Sequence, residues 1–266
     1  MRRRASQSTK IIVLLTLVAI LSGLAASLAE AELSVSGNLF VVFNGGIYPE
    51  ALPRHRRVPI TVKLSGRVRT LSAEQPPALR KIVIKLNRNG RLYTRGLPVC
   101  YRHQIEALTS AQALATCRDA LVGTGAYVGK TAYPEQQSFV SHGRLLAFNS
   151  IQGGKRAILT HVFSGKPAPI ARTFLFQIAH TTGPYGTVLR ANLPPSLNRF
   201  GYLKRISLNL HRTYTYHGTL HPYLSAACPA PSGFQEASFN FAFASMSFAD
   251  GRTLMATMNR TCLVAG

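Results

Sequence analysis

The sequence predicts an all-β protein: a β-sandwich or jelly-roll-like stack of antiparallel sheets carrying one short disulfide-linked helix. Three observations predict it. Apolar and polar residues alternate along most of the chain, glycine and proline clusters separate the alternating runs, and a single segment has helical composition. A period of two puts successive side chains on opposite faces, so each run reads as a strand with one face against a core.

The runs follow in order: Leu33 to Phe43, Ile60 to Val68, Ile82 to Leu86, Ala120 to Tyr127, Leu145 to Phe148, Ile158 to Phe163, Phe174 to Ile178, Val188 to Leu193, Ile206 to Leu210, Phe239 to Phe248 and Leu254 to Met258. Gly153-Gly154 and Asp250-Gly251 fall between runs and predict hairpin turns, because their backbones tolerate positive φ. Phe239, Phe241 and Phe243 share one predicted face, with Ser238, Asn240 and Ala242 on the other. The helix is predicted from Thr109 or Ser110, either able to cap it, through Ala111, Gln112, Ala113, Leu114 and Ala115 to Cys117. Looser joints are expected at Gly165 to Pro169, Gly183-Pro184 and Pro194-Pro195.

The pattern also repeats. Leu79 to Arg88 aligns with Leu203 to Arg212, sharing leucine, isoleucine and arginine positions and a basic pair after the first leucine. Each copy follows a Pro-Pro segment, leads to a cysteine (Cys100 or Cys228), and is succeeded by a second alternating run from Ala120 or Ala237. A duplicated β unit is predicted. It is read as two β domains, 32–166 and 167–266, or as one continuous sandwich.

The first 31 residues read as a signal peptide: Arg2, Arg3, Arg4 and Lys10, an apolar run from Ile11 to Ala29, and small residues in Ala29-Glu30-Ala31. An uncleaved anchor is the competing reading, since the run approaches bilayer-spanning length. The softening through Ser22, Gly23, Ala25, Ala26 and Ser27 favours cleavage and a secreted or envelope-associated protein with no stable membrane span.

Beyond residue 31 the chain carries 27 basic and 8 acidic residues, a net charge of +19. Such a charge attracts anionic partners and disfavours chemistry built on paired carboxylates. No compact basic tract concentrates it, so specific nucleic-acid binding is not predicted. The absence of tryptophan weakens a sugar-binding reading, although ten tyrosines offer stacking surfaces.

Cys100, Cys117, Cys228 and Cys262 form an even set in an exported chain, which predicts two disulfides. Three connectivities are possible. Cys100 with Cys117 and Cys228 with Cys262 are preferred because each closes a local loop, contributing about 3–4 kcal/mol in the loop-entropy account. The first would staple the helix onto the sheet.

No segment carries a catalytic, metal or cofactor signature. Gly129-Lys130-Thr131 lacks the glycine that a phosphate loop needs where Thr124 stands, and no helix is predicted after it. His211, His217 and His221 are the densest histidine group, but Gly218 and Pro222 interrupt it and no carboxylate or cysteine lies nearby. A hydrolase would need serine, His161 or His180, and Asp119 to meet in the fold without a nucleophile-elbow motif.

At Gly96-Leu97-Pro98-Val99-Cys100, Cys117-Arg118-Asp119-Ala120-Leu121-Val122-Gly123, and Cys228-Pro229-Ala230-Pro231-Ser232-Gly233-Phe234, the chain resembles a group of uncharacterised secreted actinobacterial all-β proteins. The resemblance extends to Leu146-Ala147-Phe148-Asn149 and Arg260-Thr261-Cys262. It implies a secreted all-β class and no activity or ligand. Its motifs read as disulfide loops, with Phe234 expected to anchor one loop to the core.

The leading functional expectation is a non-catalytic cationic binding or structural protein. Its anionic partner would be an envelope polymer or an acidic lipid surface, met through Arg54, Arg56, Arg57, Arg80, Lys81, Lys204 and Arg205. The alternatives are the extracellular hydrolase above and a carrier of an apolar ligand, for which the many phenylalanines could line a cavity.

Overall fold

A computed structural model describes residues 31–72, 74–133, 135–166, 169–195 and 201–265; apart from Ala31, the predicted signal peptide lies outside them. From Ala31 onward the chain forms one compact unit.

The alternating runs become strands. The first two are β1 (Glu32–Ser36) and β2 (Leu39–Tyr48), so the run from Leu33 to Phe43 is a hairpin rather than the single strand predicted. Gly37, at φ +59°, reverses the chain there at no steric cost. Next come β3 (Ala51–Leu52), β4 (Val58–Pro59), β5 (Thr61–Thr70), β6 (Leu79–Asn87) and β7 (Gly90–Leu92). A helical segment follows: α1 (Arg102–Ile105), α2 (Ser110–Thr116) and a 3-10 turn, Arg118–Ala120. After it lie β8 (Leu121–Thr131), β9 (Phe139–Gln152), β10 (Lys155–Ser164), β11 (Ile170–His180), β12 (Tyr185–Asn192) and β13 (Gly201–Leu210). A hairpin of β14 (Thr213–Tyr216) and β15 (Thr219–Pro222) precedes β16 (Leu224–Ala226), β17 (Glu236–Phe248) and β18 (Thr253–Val264).

One 13-stranded sheet runs in the order β1-β2-β5-β13-β8-β9-β10-β11-β12-β6-β17-β18-β3. Its ladders are antiparallel except for the parallel pair β18 and β3. The sheet curls until its ends meet, giving a sandwich-like all-β fold. Met246 of β17 reaches Gly66 of β5 across the interior, where a Cβ would stand 3.2 Å from the methionine Cε.

The strand order also carries a repeat. Divided at the β9–β10 turn, the main strands form two series, β1, β2, β5, β6, β8, β9 and β10, β11, β12, β13, β17, β18. Each series occupies six consecutive places in the sheet with its fourth strand exchanged: β13 lies between β5 and β8, and β6 between β12 and β17. These exchanged strands are the aligned segments Leu79 to Arg88 and Leu203 to Arg212.

Where the sheet ends meet, side chains replace the ladder. Arg260 of β18 donates from Nε to the Gly45 carbonyl (2.5 Å) and from Nη1 to Glu32 Oε1 (2.8 Å). Arg252 pairs with Asp250 and donates from Nη1 to the Ser36 carbonyl (2.9 Å). Among the described residues both ion pairs, Arg252 with Asp250 and Arg260 with Glu32, lie on this seam. In a chain so poor in acids, two of its carboxylates are spent on closure.

The disulfides are Cys100–Cys117 and Cys228–Cys262, with Cα separations of 5.6 and 5.8 Å. The first fastens the helical segment to the outer face of β9 and β10. Cys100 N–H donates to the Asn149 carbonyl, and Cys117 ends α2. Thr109 caps α2, accepting from Gln112 N–H while the Gln112 side chain accepts from Thr109 N–H. Ile105 and Ala113 then close over Leu146, Phe148 and Leu159, all fully buried or nearly so.

Two sequence expectations change. A bulge between Asn240 and Ala242 shifts the parity of β17, so the three phenylalanines do not share a face. Phe241 is buried, whereas Phe243 lies outside beneath the Lys85 ammonium at 5.1 Å. Phe234 is 63% exposed and anchors nothing; its loop is held by Arg54, whose guanidinium donates to the Ala230, Pro231 and Phe234 carbonyls.

Candidate functional site

Alternation sends one face of each strand inward, but the curled sheet is wider than its inward side chains can fill. Two adjoining cavities result, of about 150 and about 70 Å3. The inner, smaller one is walled by Phe43, Leu64, Ile84, Phe176, Leu208 and Met246, contributed by six strands. Ile82 and Ile206 wall both cavities and so stand where the two meet. These isoleucines occupy equivalent positions in the two exchanged strands. Leu64, Ile84, Ile206 and Leu208 are only half-buried although they face inward, because the space before them is not occupied by protein.

The polar atoms of the inner wall are largely engaged elsewhere. Thr160 Oγ1 donates to the Phe174 carbonyl (2.8 Å), and Asn44 Oδ1 accepts from Arg260. The larger cavity is mixed. Apolar Ile170, Phe174 and Leu193 meet Tyr127 and the exposed Arg172, while Lys130 and Tyr202, paired with each other across β8 and β13, border it from positions whose side chains the register sends to the other face. Desolvation raises the pKa of Tyr127, against the opposing influence of a Ser164 hydrogen bond and the nearby Arg172 charge, and desolvation likewise raises that of Tyr202. Both phenols therefore remain neutral donors. No carboxylate lines either cavity among the described residues, and the Arg172 guanidinium, open to solvent, donates from Nη1 to the Ala171 carbonyl (2.9 Å).

The seven cations predicted from sequence are spread over three places. Arg54 is committed to its loop, Arg56 is exposed beside it, and Arg57 donates to the Asn89 carbonyl. Arg80 and Lys81 begin β6, with five strands of the sheet between them and Lys204 and Arg205 on β13. Arg205 stands in direct register with Arg67 of β5, whose exposed face also carries Lys63 and Arg69.

The histidines do not converge on a metal. Among the described residues no group of three or more potential ligands forms. His217 occupies the β14–β15 turn at φ 50°, and His221 stacks on Tyr93 at 4.8 Å between centroids. His161, fully buried beneath the helical segment, donates from Nε2 to the Leu108 carbonyl at 2.9 Å. Its Nδ1 is buried with no protein partner, and its pKa is lowered by burial, partly offset by the Leu108 bond. That placement seals the ring from solvent and from any substrate.

Sequence reasoning missed Tyr127 and Arg172 as site residues. Tyr127 was read only as the end of a strand, and Arg172 is one arginine among many; the phenol and the guanidinium come near each other only once β8 and β11 are placed. Two disulfides are compatible with an oxidising compartment, and no helix among the described residues is long and apolar enough to cross a membrane. Comparison with family models, with curated proteins and with solved structures finds no match to this chain.

Proposed function

We propose that this is an exported, non-catalytic binding protein that takes an apolar ligand into the interior of its curled sheet. The observation that carries the reading is the pair of adjoining cavities, with inward-facing Leu64, Ile84, Ile206 and Leu208 left half-covered. A largely apolar cleft with a few polar groups in its wall is the usual form of a small-molecule site. Gly129 lines the outer cavity, and a Cβ there would meet nothing closer than 3.5 Å, so a side chain can be added without disturbing the ladder. The neutral fluorophore N-phenyl-1-naphthylamine should bind saturably with enhanced emission. Gly129→Leu should abolish the signal while leaving the melting temperature close to that of the parent. An unenhanced fluorophore, or one indifferent to Gly129→Leu, would refute interior binding.

A second reading has its own support. Lys63, Arg67, Arg69 and Arg205 are exposed on adjacent strands, which favours attachment to an anionic envelope polymer or acidic lipid surface. Sedimentation with isolated envelopes should then fall steeply with salt. Binding insensitive to salt, or to charge reversal of these residues, would remove it.

A further inference from the structure

Resting on the reading of attachment through surface cations, we infer that the end of the curled sheet at which the outer cavity opens is a docking surface for an anionic lipid bilayer. The ladders bring the close of β1, β5 and β8 and the start of β2, β9 and β13 to one end of the sheet, and β11 begins there beside the close of β10. The outer cavity lies at this end, walled by Thr131, Ile170 and Gly201 from those termini, and Arg172 on its wall is open to solvent. On the outside of the same end, apolar and cationic side chains stand in direct register. Val35 of β1 is beside Phe40 of β2, and Phe40 beside Arg69 of β5, whose guanidinium lies over the phenyl ring at 5.5 Å. Farther round, Tyr202 of β13, Lys130 of β8 and Val140 of β9 form a second row. These are the outward positions, the inward ones being held by Leu39 and Val41 on β2 and by Gly129 and Thr131 on β8. Val35 is 50% exposed, Val140 42%, and Leu71, just past β5, 73%.

Charge at this end complements an anionic surface. Arg67, Arg69, Arg205, Lys130 and Arg172 outnumber Glu74 and Glu135 of the connecting loops, and Asp250 is paired with Arg252. A soluble polyanion meets that charge and leaves Val35, Leu71 and Val140 in water. A bilayer meets both chemistries: apolar side chains enter below the head groups while Lys and Arg extend along the same surface to the phosphates. The cavity supplies a second argument for lipid, because a mouth that admits apolar molecules then opens on the phase in which they dissolve.

The test is co-sedimentation of the purified exported protein with vesicles of phosphatidylcholine, with and without phosphatidylglycerol, beside retention on immobilised polyphosphate. Vesicles containing phosphatidylglycerol should carry the protein down, and phosphatidylcholine alone should not. Val35→Ser with Leu71→Ser should weaken vesicle binding about tenfold or more and leave polyphosphate retention unchanged. Arg69→Gln should weaken vesicle binding about fivefold. Phe234→Ser, in the loop before β17 at the opposite end, should alter neither. The chain has no tryptophan, so Leu71→Trp supplies a lone reporter that brominated lipid should quench, whereas Phe234→Trp should escape quenching. Vesicle binding indifferent to Val35→Ser with Leu71→Ser, quenching equal at the two tryptophans, or binding as strong to phosphatidylcholine alone overturns the docking surface. Retention on polyphosphate without vesicle binding overturns it too, makes the partner a polymer and leaves cationic attachment intact. Binding to neither overturns both.

Discussion

The two faces of β9, β10 and β11 are built from the same alternating runs and end in opposite states. On the outer face Leu146, Phe148 and Leu159 are sealed under α1 and α2, each fully buried. On the inner face Leu145, Thr160 and Phe176 border open space. The difference lies in what covers each face. A short helical segment fastened by Cys100–Cys117 can settle until its side chains touch the sheet. The opposing wall of a curled sheet cannot, because ladder hydrogen bonds and the Arg260 and Arg252 seam fix its distance. A face covered by a movable element fills; a face covered by the same sheet keeps whatever gap the curvature leaves.

Truncation should expose that difference most strongly. Phe148→Ala beneath the helical segment should cost ~3–5 kcal/mol, as expected for a large aromatic lost from a filled core. Phe176→Ala, on the cavity wall, should fall at or below the bottom of that range, because part of its surface already lacks protein neighbours. Chemical denaturation of the two variants compares them directly. Equal losses would mean that the inner face is as tightly packed as the outer.

Enlargement should reverse the order. Ala113 on α2 is fully buried against the sheet, so Ala113→Leu should cost ~1–3 kcal/mol through overpacking. Ala244 borders the inner cavity, and Ala244→Leu should change stability by less than about 1 kcal/mol, since the added atoms enter vacant space. It should weaken fluorophore binding at the same time. A destabilisation as large as that of Ala113→Leu would show that the gap has no room for three more carbons.

Acid should find the sealed face before the open one. Burial lowers the His161 pKa, the Leu108 carbonyl offsetting part of the shift. Between the ordinary histidine value of ~6.5 and the lower folded value, the unfolded chain binds more protons than the folded chain. Stability contributed by the neutral ring is therefore complete above that window and lost as pH falls through it. His161→Gln, whose amide can still donate to Leu108, should flatten the melting temperature across the window. Asp250 acts elsewhere on the scale. Slight desolvation raises its pKa, but hydrogen bonds and charge from Arg252 outweigh this and leave it lowered. The corresponding loss therefore belongs to more acidic pH, below the ordinary carboxylate value, and a wild-type slope retained in His161→Gln near neutrality would exclude the ring as its source.

What could be read in the sequence follows from the range of the interactions involved. Strand positions were legible because period-two alternation is local, and the capped helix from Thr109 was legible for the same reason. The local disulfide pairing agrees with the short loops it closes, and the duplicated strand was visible as Leu79 to Arg88 against Leu203 to Arg212. The exchange of those strands was not, because nothing within either segment states which neighbour it pairs with. Nor was the bulge at Asn240 to Ala242, which separates Phe241 from Phe243 and is set by pairing across β17 and β18. The cavity lay furthest from view: each of its walls has ordinary strand composition, and only the curvature of the assembled sheet keeps Ile82 and Ile206 from being filled over.

The uncovered part of the outer face sharpens the comparison with the smallest effect. On β5 and β13 no helix among the described residues lies over the sheet, and Arg67 faces Arg205 in direct register. Like charges so placed oppose sheet formation, whereas opposite charges contribute ~0.2–1 kcal/mol relative to a neutral pair. Arg67→Glu should therefore raise stability by up to ~1 kcal/mol, an effect that shrinks with added salt. It should weaken envelope sedimentation and leave fluorophore binding unaltered, because the side chain lies on the far side of β5 from Leu64 and Gly66. On the proposed attachment to an external anion, the same pair would be put to use in binding while opposing stability. If Arg67→Glu stabilises the fold and sedimentation is unchanged, that argument fails, and the charge on this wall has no part in binding.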